Sequence, residues 1–267
     1  MSPAVLTEAA VVERSIPMAG AVELVLHHPT AAAAARAGQF FQLAVGAPGA
    51  ILRRPYSVAW ARPEIGQIGF IFNIVGTGSA WLASRQRGHA VDLLGPLGQG
   101  FVIEPGNRPA VCIAGGLGVA AFPAVVTALM AAGRPVVFLH GARTASQLLP
   151  VSRLQGAELR VATDDGTAGL HGSVLDLLAS VAVSDVDVFA CGPTPMLRRL
   201  IEVTQRLELP RSRVQVALET PMGCGVGTCL GCVTPRRGGG YLLTCQDGPC
   251  IRADRIDWDG MVDAFHG

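Results

Sequence analysis

The sequence predicts three units in series: an antiparallel β-barrel, a doubly wound parallel α/β sheet, and a small C-terminal unit built around cysteines. Short β-prone runs broken by Pro and Gly fill the first part of the chain, with no helix-period segment of comparable strength between them. From Arg108 onward, apolar strands and helices alternate. Beyond them, four of the seven cysteines stand in a C-x4-C-x2-C-x12-C array at Cys224, Cys229, Cys232 and Cys245. The expected boundaries are 1–104, 105–213 and 214–267.

In the first unit the strand candidates are Val5 to Val12, Val22 to His27, Phe40 to Val45, Tyr56 to Trp60 and Ile68 to Ile74. The alanine run from Ala31 to Ala35 is too short for more than a loop or one helical turn. Within this half lies Arg54-Pro55-Tyr56-Ser57, followed by Gly76-Thr77-Gly78-Ser79 and an expected helix from Trp81 to Gln86. An Arg beside a strand makes bidentate contacts to phosphate, a Tyr offers a ring face, and a Ser offers a hydroxyl. Phosphate, ring plane and polar ring edge are features of a flavin nucleotide, and the Gly76 to Ser79 turn could present amides to its pyrophosphate. Taken alone, R-P-Y-S reads equally well as a strand with a capped turn.

In the second unit, strands are expected at Ala110 to Ala114, Pro135 to His140, Glu158 to Thr163 and Val186 to Ala190. Helices are expected at Ala120 to Ala132, Val174 to Val181 and Pro195 to Leu207. The turn from Gly116 to Ala121 fits G-x-G-x-x-A between strand and helix, the context of a dinucleotide fingerprint. No Asp or Glu occurs between Glu104 and Glu158 to hold a ribose hydroxyl, so this is not an ordinary Rossmann dehydrogenase. The glycines either permit close strand–helix packing or hold a pyridine nucleotide in another pose, and the second reading is favoured. Thr163 to Gly166 and Ala190-Cys191-Gly192-Pro193 also fall at carboxyl ends of strands, where open α/β sheets bind ligands. Arg143, after another strand end, leaves the choice between NAD and NADP open.

The cysteine spacing is the plant-type pattern of a [2Fe-2S] cluster held by four thiolates. Gly223, Gly225, Gly227 and Gly231 give the loop the freedom to wrap a small cluster and aim amides at its sulfurs. A structural zinc site is the rival, but it typically uses two C-x2-C knuckles and only Cys229 and Cys232 form one. Disulfides are weaker still, given an odd count and no mark of secretion. Cys250 would break the spacing and is excluded as a ligand, while Cys112 reads as a small buried residue.

Composition narrows the function further. A net charge of +1 leaves no electrostatic footprint for nucleic acid. All 21 basic residues are Arg, which removes Schiff-base chemistry and a P-loop lysine. No paired catalytic carboxylates and no nucleophile with its base are visible. Met1 to Ile16 lacks a basic stretch followed by an apolar one, so a cytoplasmic location is expected. The uncharged run from Ala110 to Gly133 reaches membrane-span length, but Gly115 to Gly118 and Pro123 cut it into strand, loop and helix, so no membrane association is expected.

With these units in this order, the chain resembles the ferredoxin reductase-like flavoproteins, and among them the electron-transfer subunits of NAD-linked dihydroorotate dehydrogenases. The resemblance runs nearly end to end. It rests on R-P-Y-S at Arg54 to Ser57, G-P-L-G-Q-G-F at Gly95 to Phe101, G-G-L-G-V-A at Gly115 to Ala120, A-T-D-D-G-T-A-G at Ala162 to Gly169 and C-G-P-T-P-M at Cys191 to Met196. The cysteine loop, together with Y-L-L-T-C-Q-D-G-P at Tyr241 to Pro249, carries it further. The resemblance implies FAD, NAD and a [2Fe-2S] cluster as cofactors. It implies an FMN-bearing dihydroorotate dehydrogenase catalytic subunit as partner, in a heterotetramer serving pyrimidine biosynthesis.

By the same resemblance Arg54 holds the FAD phosphates, Tyr56 packs on the isoalloxazine, Ser57 reaches its N5 region, and Gly78 and Ser79 line the pyrophosphate. Pro55, Asn73 and Val75 belong to that site, and Gly115, Gly116, Gly118, Cys191, Gly192 and Pro193 to the nucleotide sites. No catalytic acid or base is expected, because hydride transfer relies on the cofactors. Two other readings remain: the same machinery serving a hydrogenase or a ferredoxin, and a zinc-stabilised binding module without enzymatic activity.

Overall fold

The computed structural model describes residues 4–181 and 185–261. The first three residues of the Met1–Ile16 stretch and the last six of the third unit lie outside them. The first half forms one seven-stranded antiparallel sheet from β1 (Val5–Ser15), β2 (Ala21–His27), β3 (Phe40–Leu43), β4 (Arg54–Ser57), β5 (Trp60–Arg62), β6 (Gln67–Asn73) and β7 (Ala90–Leu97). Its strand order is β4-β3-β7-β1-β2-β6-β5, a half-barrel around a core of Phe41, Leu43, Leu24, Phe70, Leu82 and Leu93. The expected strand from Tyr56 to Trp60 is split, because the chain crosses there from one sheet edge to the other. Val58 N–H donates to the Gln39 carbonyl and Ala59 N–H to the Gly69 carbonyl. The alanine run folds as helix α1 (Pro29–Ala34), capped by His28 Nδ1, which accepts from Ala31 N–H. Helix α2 (Thr77–Ala83) starts four residues earlier than expected.

The second sheet has the order β11-β10-β9-β8-β12-β13-β16, with β8 (Ala110–Gly115), β9 (Val136–Ala142), β10 (Glu158–Thr163), β11 (Leu170–His171), β12 (Asp187–Cys191), β13 (Val214–Ala217) and β16 (Cys250–Arg252). Every pairing is parallel except that of β16 on β13. Alternate residues of β8 feed opposite faces. Val111 and Ile113 pack with Leu197 and Leu200 of helix α4 (Thr194–Arg206), while Cys112 and Ala114 pack with Phe122 and Val125 of helix α3 (Phe122–Ala131). The sheet is therefore doubly wound. The segment from Val174 to Ser180 is 3-10 rather than α, and a 3-10 stretch from Gly116 to Ala121 precedes α3.

The cysteine-bearing segment leaves the sheet after β13 and forms a hairpin of β14 (Val233–Pro235) and β15 (Tyr241–Leu243). After the short helix α5 (Thr244–Asp247) it returns as β16. Two strands beyond residue 213 thus complete the second sheet. The two halves are locked together at Glu23, whose buried carboxylate accepts from both terminal nitrogens of Arg153 at 3.0 and 2.5 Å and from Trp60 Nε1 at 2.7 Å. Among the described residues no helix is long and apolar enough to cross a membrane.

Candidate functional site

A cavity of about 570 Å³ opens between the two sheets, walled by β4, the end of β6, the turn after β8 and the segment from Leu218 to Met222. Strand β4 is an edge strand, which tolerates Pro55. Arg53 is held by Asp92 in a bidentate pair at 3.1 and 2.7 Å. Arg54 instead donates to the backbone carbonyls of Leu52 and Arg53 and lies over Gly78, where a Cβ would come within 3.2 Å of its Nε. That leaves a cationic fork beside the cavity, suited to a phosphate. The Tyr56 ring packs on Phe72 with centroids 4.8 Å apart, and burial pushes its phenol up to about 12, so it stays neutral although the Arg54 charge opposes the shift.

Arg54, Pro55, Tyr56, Ser57, Asn73, Val75 and Cys191 all line this cavity. Gly78 and Ser79 do not reach its wall. Ser79 is buried, and its Oγ accepts from the amides of Val75 and Gly76 while donating to the Gly76 carbonyl, so the hydroxyl shapes the turn.

A second cavity of about 410 Å³ sits at the switch point of the parallel sheet, between β8 and β12, where such sheets bind ligands. Gly115, Gly116, Gly118, Gly192 and Pro193 line it, as do Arg143 and Asp164. Gly118 is required for space: a Cβ would stand 2.6 Å from the Cys191 carbonyl carbon and 2.9 Å from Gly192 N. Burial raises the Cys191 thiol, and the Glu219 charge raises it further, so it remains a neutral thiol.

The two cavities share Asn73, Leu117, Gly118 and Glu219. Ligands filling both would therefore meet there. Nothing in the sequence points to Glu219, which sits in a linker with no periodic or motif signal. Its side chain is open to the water in the cavities, while protein crowds it on the remaining sides and raises its carboxyl pKa by desolvation.

The cysteine loop packs on the outer face of the half-barrel. Buried Cys232 and Cys245 contact Phe40 and Leu97, with Met222 and Leu243 alongside. Phe40 and Met222 also line the larger cavity, so that cavity and the cysteine site share a wall. The thiols fall into two pairs. Cys224 Sγ accepts from the amides of Val226 and Cys229, both at 3.4 Å, and contacts the Cys229 thiol; these bonds lower it to about 6. Cys232 Sγ accepts from Cys245 N–H at 3.4 Å, and burial together with the Cys232 thiol pushes Cys245 up to about 12. Among the described residues no three or more His, Cys, Asp or Glu side chains are grouped to hold a single metal ion. Two thiol pairs with amides aimed at sulfur suit a cluster of two irons bridged by sulfide, and the residues present fit that group. Cys250 lies apart, its Sγ donating to the Gly38 carbonyl at 3.4 Å, and Cys112 is buried in β8.

These features define a class: a ferredoxin reductase-like protein with a half-barrel, a nucleotide-binding α/β sheet and a C-terminal iron–sulfur segment. Residues 219–257 match the family model of the iron–sulfur cluster binding domain of dihydroorotate dehydrogenase B. The chain is 37% identical over 225 residues to the dihydroorotate dehydrogenase B (NAD(+)) electron transfer subunit of Geobacillus kaustophilus, covering 82% of this chain and 86% of that one. It is 33% identical over 243 residues to the subunit of the same name from Shouchella clausii, covering 88% and 91%. Among solved structures, the NADH-dependent reduced ferredoxin-NADP oxidoreductase described for flavin-based electron bifurcation superposes with a TM-score of 0.84 at 29% identity, over 97% of this chain and 92% of that one. A ferredoxin reductase of carbazole 1,9a-dioxygenase superposes at 0.69 with 25% identity, over 80% and 69%. The chain belongs to the family of dihydroorotate dehydrogenase B electron transfer subunits.

Proposed function

We propose that this chain passes electrons between NAD(H) and the FMN of a partner dihydroorotate dehydrogenase catalytic subunit, in a cytoplasmic heterotetramer that serves pyrimidine biosynthesis. The observation that carries the reading is the chain of shared walls: the nucleotide cavity meets the larger cavity at Asn73, Leu117, Gly118 and Glu219, and the larger cavity meets the cysteines at Phe40 and Met222. When bound, NAD, FAD and the [2Fe-2S] cluster supply hydride transfer and the conversion of an electron pair into single electrons.

The protein's own residues place and enclose these groups. Arg54 neutralises the flavin pyrophosphate, Tyr56 covers the ring, and Ser57 and Asn73 face its polar edge. Gly116 and Gly118 let a pyridine nucleotide approach the backbone, with Gly192 and Pro193 in the same wall and Cys191 in the wall of the larger cavity. Cys224, Cys229, Cys232 and Cys245 ligate the cluster. Its loop carries Val226 and Leu230 exposed, which suits delivery across an interface to another chain.

Reconstitution tests this reading. The chain mixed with the dihydroorotate dehydrogenase catalytic subunit of the same cell should form a stable complex that converts dihydroorotate to orotate with NAD as sole acceptor. A catalytic subunit that neither binds this chain nor gains NAD activity would overturn it. A second reading, the same machinery serving a ferredoxin, is favoured by the end-to-end likeness to the bifurcating oxidoreductase; electron transfer to a ferredoxin but not to the catalytic subunit would select it.

A further inference from the structure

Strand β3 sends alternate side chains to opposite faces. Phe41 and Leu43 enter the half-barrel core, whereas Phe40 and Gln42 face the other way, and Phe40 packs on Cys232 and Cys245. Gln42 is fully buried, and among the described residues neither its Nε2 nor its Oε1 has a hydrogen-bond partner. It lies directly beneath Gly225, the residue after Cys224: a Cβ there would stand 2.8 Å from Gln42 Nε2 and 2.8 Å from its Cγ. Gly225 has φ +74°, so its backbone folds down onto the amide in a conformation that a side chain would strain.

A buried amide without a partner is costly, and a position on an otherwise apolar face would be better filled by Leu unless a ligand satisfies the amide. Gln42 does not line the larger cavity, although its strand neighbour Phe40 and its cross-strand partner Pro55 do. Its polar end faces the loop that begins at Cys224. On the other side of this loop Gln246 sits under Gly227, but it is exposed and its Nε2 is already committed to the Val226 carbonyl at 3.1 Å.

We propose that Gln42 Nε2 donates a hydrogen bond to a sulfur of the bound [2Fe-2S] cluster and thereby raises the cluster's one-electron reduction potential. The inference rests on the cluster reading above. Reduction adds one electron, and so one negative charge, to the iron–sulfide core without breaking a bond. A donor fixed at a sulfur stabilises the reduced form more than the oxidised one. Gln42 is thus a tuning residue, placed by β3 on the half-barrel side of the loop.

The test uses the full chain, purified anaerobically with flavin and cluster. Gln42→Met removes the donor at similar volume. It is expected to keep wild-type iron per chain and an unshifted flavin potential, while the cluster's midpoint in an EPR-monitored titration falls. The expected fall is about tenfold in the reduced-to-oxidised ratio, or ~59 mV for a one-electron couple. Gln246→Met should leave the midpoint where it is. An unchanged midpoint in iron-replete Gln42→Met overturns the proposal.

Should Gln42→Met fail to assemble, pulsed EPR of the reduced cluster in a Gln246→Met chain carrying ¹⁵N in its glutamine amides decides the matter. A nitrogen coupling supports the hydrogen bond, and its absence overturns it. A wild-type chain lacking iron and sulfide would instead overturn the cluster reading itself.

Discussion

The turn from Gly115 to Gly118 and the loop from Gly223 to Gly231 are both glycine-rich and both flank a candidate cofactor site, yet their glycines answer different physical demands. In the first, the demands are separate. Gly116 has φ +52° and open space around it, while Gly118 has an ordinary backbone but no room beside the Cys191 carbonyl. In the second they coincide: Gly225 and Gly227 have φ +74° and +81°, and each is pressed against a glutamine side chain. The nucleotide turn is a single crossing between a strand and a helix, and the parallel sheet fixes it from both sides. The cysteine loop must fold back on itself and also seat on a foreign surface, the outer face of β3.

The largest expected effect is at the loop. Cys245→Ser should lose the cluster's iron, whereas Cys250→Ser, whose sulfur only donates to Gly38, should keep it; iron and sulfide assays of both variants check this. Arg54→Ala comes next and should leave the iron untouched while releasing FAD, because a charged bidentate contact is worth roughly 1.5–3 kcal/mol. Flavin content and flavin fluorescence in the flow-through report it. Full flavin occupancy would reduce R-P-Y-S to an edge strand.

Within the nucleotide turn, Gly118→Ala should destabilise by about 1–3 kcal/mol, since backbone rather than a mobile side chain must yield, and it should weaken NADH binding with the iron intact. Gly116→Ala should cost about 1 kcal/mol, the price of a left-handed residue alone, measurable by denaturant titration. If the two were equal, the separation of space from conformation in this turn would be wrong.

The smallest effect concerns Glu219. Its raised pKa means that the folded chain holds this proton to higher pH than the unfolded chain does. The stability it contributes is therefore present below the ordinary carboxylate range and lost as pH rises through the raised value. Glu219→Gln should match wild type in acid and exceed it slightly near neutrality, which unfolding midpoints across pH would show.

Much of this was legible in the sequence, for identifiable reasons. Cysteine spacing is a local property, and so is the strand–turn–helix context of Gly116 to Ala121; both survive any tertiary arrangement. The run from Tyr56 to Trp60 has the pattern of one strand because local pattern does not say which sheet edge a residue joins, and the chain changes edges at Val58 and Ala59. The return of Cys250 to Arg252 as an antiparallel strand on β13 was hidden in the same way. Gln42 and Glu219 carried no signal at all. A polar residue in an apolar strand, or in a linker, acquires meaning only from what the fold sets against it: the Cys224 loop in one case, two converging cavities in the other.

The shared walls imply a single electron path from the nucleotide cavity to the cysteines. Anaerobic mixing of the isolated, cofactor-loaded chain with NADH, followed by absorbance and by EPR of rapidly frozen samples, tests it most directly. On such a path the flavin bleaches and the reduced-cluster signal then rises, whereas Cys245→Ser bleaches its flavin and shows no such signal. Flavin that bleaches fully beside a cluster that stays oxidised, yet is reducible by dithionite, would contradict it.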